Sequence, residues 1–558
     1  MLYLSVAWPV LLLVLWHYRS RGKPLGANLV RLLWLCLVAT VIFAYWRYLW
    51  PIKGYEDAFP IDDSYITLSA ARNFAAHNLF AVNPDAPLAG ITSPFHVLLV
   101  GLLGKAVGVV WADRLLGFLA FFFTVAGTVV WTRQLNDDPL PAAAAGALCA
   151  LSGPLIFGAL NGLETDLFAA LIIWSAVLYE KGRQAGKWFV GAGLLVGLAI
   201  VTRPEGYFLA VAIFSVAFFE RIKGRYPLSW ATYFGALLAV ALIVSPYLLA
   251  NYHLLGRVFP LTVSAKQHFF ASSCTPIFQP IVMTFFSPLM LLGPFVILIP
   301  FLFVASEWRR RLYPAAFILI FYLAYLVKFP GALGHYWGRY QHPLLPFVLA
   351  GLTVGAVHFV AKKNARHPRT GTVIGVILAI FLFVGTGLNT SIQRGVYRHA
   401  IENAKDGGYL WEVMEWLRAN TAPGDSVATH DIGVVTYFSG RKVIDLVGLS
   451  DPEIAAIYAH HQAPCGGFNP RADSLYQLLA KRRPKIVYFA PSWDELYLGL
   501  LRIDGGRHLA LAHRSEAKFD LGAIKDLKFH EYDFYLGDWV NDLRQTGTGQ
   551  SAATTAAN

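Results

Sequence analysis

For its first 390 residues the chain alternates long apolar runs with short charged breaks. A helix needs about twenty apolar residues to cross a bilayer core about 30 Å thick. Runs of roughly that kind cover residues 2–18, 28–50, 111–131, 140–159, 163–179 and 187–202. Further runs cover residues 206–220, 228–250, 281–304, 312–328, 344–361 and 370–388. The pattern predicts a polytopic α-helical membrane protein with about twelve spans. The run 95–110 is shorter and carries His96 and Lys105, so it is expected to re-enter or lie in the interface. The first run is followed, not preceded, by Arg19, Arg21 and Lys23. A secretory signal has the opposite order, which makes this a first spanning helix with its amino terminus outside.

Charge placement orients the spans. Arg133, then Lys181, Arg183 and Lys187, then Arg221, Lys223 and Arg225 fall on one side. Residues 309–311, all Arg, and Lys362, Lys363, Arg366 and Arg369 fall on the same side. Short cytoplasmic loops carry such an excess of Lys and Arg. The segment 51–94 sets Lys53 and Arg72 against Glu56, Asp57, Asp62, Asp63 and Asp85, so it is an acidic, extracytoplasmic loop. The turns holding Glu164 with Asp166 and Arg203 with Glu205 share its side, as do the loops 251–280 and 329–343.

From about Ser391 the long apolar runs stop. Residues 410–420 and 474–481 have helical spacing, while 426–429, 443–447 and 485–489 are short β-rich runs. Strands alternating with helices predict a small extracytoplasmic α/β domain. The expected organisation is a membrane domain over 1–390, an α/β domain over 391–545 and an unstructured Gly/Thr/Ala-rich tail over 546–558.

The composition agrees with this reading. Of 558 residues, 56% are hydrophobic and 14% charged, whereas soluble domains carry about 25% charged residues. The net charge of +12 reflects topology-setting loops, and no nucleic-acid-binding module accompanies it. Cys36, Cys149, Cys274 and Cys465 have neither disulfide nor metal spacing.

Ionisable groups at the membrane boundary are candidates for chemistry, because burying them is costly. Asp62 and Asp63 open a helical pattern, so they are either a helix cap or a general base and site organiser. Glu164 and Asp166 cap a span or face the first loop across a cavity. Arg203 and Glu205 are a local ion pair or a ligand contact. Lys266, and the run His335-Tyr336-Trp337-Gly338-Arg339-Tyr340-Gln341-His342, put cations on the side where cations are scarce. Both residue types bind phosphate. His430-Asp431 is too small a set for a metal site.

Asp62-Asp63-Ser-Tyr-Ile-Thr, Ala-Arg72-Asn73-Phe, Asn83-Pro84 and Gly90-Ile-Thr-Ser93-Pro94 resemble the first extracytoplasmic loop of bacterial GT-C glycosyltransferases, closest to the arabinofuranosyltransferase-like branch. Gly162-Leu-Glu164-Thr, Thr202-Arg-Pro-Glu-Gly206, Ala265-Lys266, Gly338-Arg339-Tyr340, His430-Asp-Ile-Gly433 and Asp445-Leu-Val-Gly-Leu449 follow in the order expected of that family. The resemblance implies a multi-pass enzyme of the bacterial inner membrane, with its site and C-terminal domain outside the cytoplasm. It would move a sugar, with inversion, from a polyprenyl phosphate to a glycan or lipid acceptor. Its partners would be these lipids, not nucleic acid. By this resemblance Asp62 or Asp63 is the base and Glu164 a second acid. Lys266, Arg339, Tyr340 and Arg203 hold the donor phosphate, while Arg72, Asn73, His77, His335 and His342 touch substrate. A divalent Mg or Mn ion could assist the carboxylates. Leu261-Thr262 and Ala89-Gly90-Ile91 depart from the family pattern, which leaves sugar and acceptor open. The competing classes are a transporter of the same lipid and a non-catalytic glycan-binding protein. No internal repeat of the kind transporters show is visible.

Overall fold

The computed structural model describes residues 2–20, 25–49, 58–269, 278–303, 312–404, 409–461, 470–515 and 532–540. The expectations placed on Arg21, Lys23, residues 51–57, Cys274, residues 309–311, Cys465 and the tail lie outside them.

Helices α1 (Leu2–Ser20) and α2 (Ala27–Leu49) are followed by α3 (Asp62–His77), α4 (Pro94–Val107) and α5 (Val109–Leu135). Next come α6 (Pro139–Ala150), α7 (Gly153–Leu160), α8 (Thr165–Gly182), α9 (Gly186–Ile200), α10 (Gly206–Ile222), α11 (Trp230–Leu255), α12 (Leu261–Phe269) and α13 (Phe278–Leu292). The helical region closes with α14 (Leu312–Lys328), the single turn α15 (His335–Gly338), α16 (Leu345–Arg366) and α17 (Pro368–Ala404).

Among the described residues six helices are long and apolar enough to cross a membrane, or eight if each of two sharply bent pairs is one span. The expected count of about twelve also included shorter helices such as α9 and α10. The expected single span 140–159 is two helices, α6 and α7, meeting at 54°. The break is fixed from outside: the Thr390 hydroxyl accepts from the Gly153 N–H at 2.9 Å and donates to the Leu151 carbonyl. Pro154 adds a residue that cannot donate into the preceding turn. α4 is short and apolar, as its sequence predicts.

Close approach between elements places the polar loops. The turn before α8 presses against α3: a Cβ on Gly162, which has φ +76°, would sit 2.6 Å from the Phe59 ring and 2.8 Å from Ser64. The Ser64 hydroxyl donates to the Asn161 carbonyl. Arg114, buried in α5, donates to the Leu160 carbonyl at 2.6 Å and the Ala58 carbonyl at 2.7 Å, and it stacks on Phe59 at 4.0 Å. One guanidinium thus anchors both the entry to α3 and the turn that carries Glu164. A buried charge is tolerated here because carbonyl dipoles replace its hydration.

The C-terminal part begins with α18 (Tyr409–Asn420) and contains a five-stranded sheet of order β2-β1-β3-β5-β4. The strands are β1 (Ser426–Thr429), β2 (Lys442–Asp445), β3 (Ile486–Phe489), β4 (Leu509–Arg514) and β5 (Asp533–Gly537). β1 pairs in parallel with β2 and β3, and β5 runs antiparallel between β3 and β4. β3 is buried throughout, as a central strand covered on both faces must be. Helices α19 (Pro452–His460) and α20 (Pro470–Arg482) lie between β2 and β3 in the chain. The three strands and two helices read from the sequence are present within a few residues. β4 and β5 were not foreseen.

Candidate active site

α3 begins with Asp62 and Asp63, and no side chain caps it. Consecutive helical residues point about 100° apart, so the two carboxylates face different neighbours. Asp63 accepts from Arg339 Nη2 at 2.6 Å, across 276 positions of sequence. Asp62 is turned to the C-terminal domain, where its two oxygens accept from the Gly433 and Val434 N–H groups, each at 2.8 Å.

Arg339 follows an unusual turn. Tyr336 and Trp337 have φ of +43° and +58°, and Gly338 has +78°. Left-handed backbone costs a non-glycine residue roughly 1–2 kcal/mol. The reversal brings Arg339 back under α3, with the Tyr336 and Tyr340 rings 4.9 and 5.0 Å from its guanidinium carbon. Nη2 also donates to the Tyr340 hydroxyl at 3.2 Å. The Nε and Nη1 N–H groups are buried and have no hydrogen-bond partner among the described residues. A buried donor without a partner costs about 1–3 kcal/mol. That is a price a fold bears where another molecule supplies the acceptor.

Lys266, on α12, lies close enough to Tyr340 and Asp63 for both to favour its charge. Burial opposes its charge, but Tyr340 and Asp63 outweigh that and hold it protonated. Burial likewise works to raise the Asp63 carboxyl. Arg339, then Lys266 and His335, reverse the effect and hold it below the usual carboxylate range. The Tyr340 hydroxyl is also raised by burial and lowered more strongly by Lys266 and Arg339, so it is more acidic than usual.

On the far side of Tyr340 lies Arg203, 5.1 Å from the ring. It is bound by Glu205 at 2.7 Å and lies 3.5 Å from Glu164. Tyr325 donates to Glu205 at 2.7 Å. A continuous charged chain therefore runs Asp63–Arg339–Tyr340–Arg203–Glu164, with Lys266 beside its centre.

Of the residues proposed from sequence, Asp63, Glu164, Arg203, Lys266, Arg339 and Tyr340 come together in this cluster. His335 joins them, stacked on Tyr340 at 6.3 Å between centroids. Others are placed elsewhere. Asp62 binds the C-terminal domain, and burial, then the nearby Asp431, pushes its carboxyl well above the usual range against the pull of the two N–H bonds. Arg72 donates to the Tyr437 carbonyl at 2.8 Å, and Asn73 donates to the Ala81 carbonyl at 2.8 Å and Val82 at 3.1 Å. Both have structural partners. His77 is exposed at the far end of α3. His342 is buried with Nε2 on the Trp337 carbonyl at 3.2 Å, bracing the left-handed turn. Asp166 is buried in the helix packing, and neither carboxylate oxygen has a hydrogen-bond partner among the described residues. His430 stacks on Trp493 at 4.3 Å, a packing role.

The donor set does not suit the divalent ion considered from sequence. Both oxygens of Asp62 are taken by backbone N–H groups, and Asp63 is paired with a guanidinium. No group of three His, Cys, Asp or Glu with metal-binding geometry occurs among the described residues.

Sequence reasoning missed Tyr325, which secures Glu205, and it named Gly433 within a motif without its role, which is to admit α3. A Cβ on Gly433 would lie 1.9 Å from the Asp62 carbonyl oxygen. A glycine directly after His-Asp-Ile was the one available hint.

The family model for dolichyl-phosphate-mannose-protein mannosyltransferase matches residues 94–250. A second, for a domain of unknown function (DUF8728), matches residues 394–540. No curated protein matches the sequence. Among solved structures, ArnT from Cupriavidus metallidurans bound to undecaprenyl phosphate aligns with TM-score 0.55 at 13% identity, covering 90% of this chain and 98% of that one. Its apo state aligns with TM-score 0.55 at 12% identity over 90% and 97%. The apo oligosaccharyltransferase of Archaeoglobus fulgidus reaches 0.47 at 13% identity over 82% and 70%. The chain thus shares the polytopic helical fold of ArnT, the fold that the resemblance read from its motifs implies.

Proposed function

We propose that the protein is a GT-C glycosyltransferase that moves a sugar from a polyprenyl-phosphate donor to a glycan or lipid acceptor outside the cytoplasm, with inversion at the anomeric carbon. The observation that carries this reading is the cluster itself: a carboxylate held ionised at Asp63, 2.6 Å from an arginine that keeps two further donors unpartnered. Asp63 accepts the proton of the acceptor hydroxyl as its oxygen bonds to the anomeric carbon. The bond from that carbon to the phosphate oxygen breaks with its electron pair leaving on the lipid phosphate. Arg339 Nε and Nη1, Lys266 and the acidic Tyr340 hydroxyl lie where that growing charge would be met. Preorganised donors of this kind are worth about 3–4 kcal/mol each in a transition state. Glu164 and Glu205 hold Arg203 beside the Tyr340 ring.

The fold shared with a structure whose ligand is undecaprenyl phosphate supports a polyprenyl phosphate as donor lipid. The loop charges support an extracytoplasmic site: Lys181, Arg183, Arg221, Lys223 and Arg225 lie at the helix ends opposite the cluster, and short cytoplasmic loops carry such an excess of Lys and Arg.

Incubating the purified protein with a panel of polyprenyl-phosphate sugars and candidate acceptors tests the proposal. Released lipid phosphate, stoichiometric with transferred sugar and lost in Asp63→Asn, is the expected result. Transport of the lipid across vesicles with no bond cleavage, unaffected by Asp63→Asn, would overturn it.

A further inference from the structure

Asp62 and Arg72 both lie on α3 and both reach the same small piece of the C-terminal domain, the helical turn of residues 433–439. At the start of that turn the Asp62 carboxylate accepts from the Gly433 and Val434 N–H groups, 371 and 372 positions away in sequence. Near its end the Arg72 guanidinium donates to the Tyr437 carbonyl at 2.8 Å and the Thr436 carbonyl at 3.5 Å, and stacks on the Tyr437 ring at 4.4 Å. Between the two, Tyr65 packs against Tyr437 and Phe438, with centroids 5.5 and 5.2 Å apart. A helical turn carries orphan N–H groups at its start and orphan carbonyls at its end. Here one neighbouring helix supplies an acid to the first and a base to the second. The contact is close enough to exclude any side chain at Gly433.

The same domain grips α12. Arg471 donates to the His268 and Phe269 carbonyls at 2.8 and 3.3 Å, and Phe269 sits 5.0 Å from Tyr458 and 5.1 Å from Tyr497. α3 carries Asp63 and α12 carries Lys266, so the C-terminal domain contacts the helices that hold both the acid and the lysine of the cluster.

We infer that Asp62 is a positioning residue for the transfer reaction: by capping the 433–439 turn it fixes the rotation and height of α3, so that Asp63 meets Arg339, and it makes the C-terminal domain a working part of the active site. Adjacent carboxylates thus divide the work, Asp63 toward substrate and Asp62 toward the domain. This rests on the proposed transferase reading for its kinetic arm only.

The test uses the full chain in detergent or nanodiscs and two readouts. Amide hydrogen exchange over 433–439 reports the clamp without reference to activity. Asp62→Asn should raise exchange at Val434 and its neighbours by about tenfold or more, and Asp63→Asn should not. In the kinetic arm, Asp62→Asn and Gly433→Ala should each lower kcat about 10- to 100-fold with little change in donor KM, and the double variant should fall no further. If Asp62 were itself the base, Asp62→Asn would be inactive while Arg72→Ala, which loosens the same turn without displacing either carboxylate, would stay near wild type; that outcome overturns the inference. Should Asp62→Asn not fold, Arg72→Ala probes the exposed end of the same clamp, with raised exchange at Tyr437 and Phe438 expected. Unchanged exchange in both Asp62→Asn and Arg72→Ala also overturns it. Raised exchange together with full activity in Asp63→Asn would instead sink the transferase assignment and leave the clamp standing.

Discussion

Arg339 gives Asp63 only one of its three nitrogens. Nη2 makes the 2.6 Å contact, while Nε and Nη1 have no partner among the described residues. A guanidinium can serve a carboxylate and a phosphate at once because its donors fan out in a fixed plane. Lysine has no such fork. Arg339→Gln should weaken undecaprenyl phosphate binding about 10- to 100-fold, a range set by the worth of one charged hydrogen bond. Arg339→Lys should fall between the two. Titration of the purified variants with the lipid phosphate gives the answer, and wild-type affinity in Arg339→Gln would remove Arg339 from the donor site.

Asp63→Asn should lower the rate of transfer by about 10²- to 10⁴-fold, the usual contribution of a positioned general base. Its pH behaviour follows from its neighbours. Burial works to raise the carboxyl, but Arg339 and Lys266 hold it below the ordinary range, so it stays ionised at and below pH ~4, where a free aspartate takes its proton. The stability this pair contributes is present above that pH and is lost as pH falls through the lower, folded value. The acid limb of kcat/KM should therefore lie below pH ~4 in the wild type and shift upward in Arg339→Gln, where burial is no longer opposed by its main partner. An acid limb at the same pH in both proteins would contradict the pairing.

Glu205 lies behind the cluster and binds Arg203 at 2.7 Å while accepting from Tyr325 at 2.7 Å. Removing its charge leaves a buried guanidinium with only Glu164 at 3.5 Å. Glu205→Gln should destabilise the protein by about 3 kcal/mol, the cost of breaking a buried pair from one side. Glu164→Gln should cost less stability and more activity. Thermal unfolding of the two variants in one detergent provides the comparison, and equal Tm values would count against the division.

Two acids of the C-terminal domain predict a pH effect of opposite sign. Burial pushes the Asp445 and Asp494 carboxyls up to about 6 despite backbone N–H bonds to each. Unfolded, they lose their protons near pH ~4. Between these values the folded domain binds more protons than the unfolded chain, so its stability rises as pH falls from 7 toward 5 and declines as pH rises through about 6. Unfolding of the domain, followed by tryptophan fluorescence, should occur at a higher temperature at pH 5 than at pH 7.5.

Sidedness can be read by labelling. Glu453 is 61% exposed on the C-terminal domain, and Lys223 is exposed at the end of α10. Single cysteines at these two positions should react with an impermeant maleimide from opposite sides of intact cells and inverted vesicles. Labelling of both from one side would overturn the orientation.

The sequence alone determined the polytopic helical class and the presence of an α/β domain. These depend on local quantities: the length of an apolar run and the period of a strand. It also supplied most of the cluster, because acids beside a bilayer and cations on the side where they are scarce stand out without any knowledge of contacts. What it could not assign was which of two adjacent aspartates does what. Asp62 and Asp63 are the same residue type, one position apart, and only the 100° rotation between them on α3 sends one to Arg339 and the other to Gly433 and Val434. That choice, like the bend between α6 and α7, is made by partners hundreds of positions away, whose nearness is created by packing and written in no local pattern.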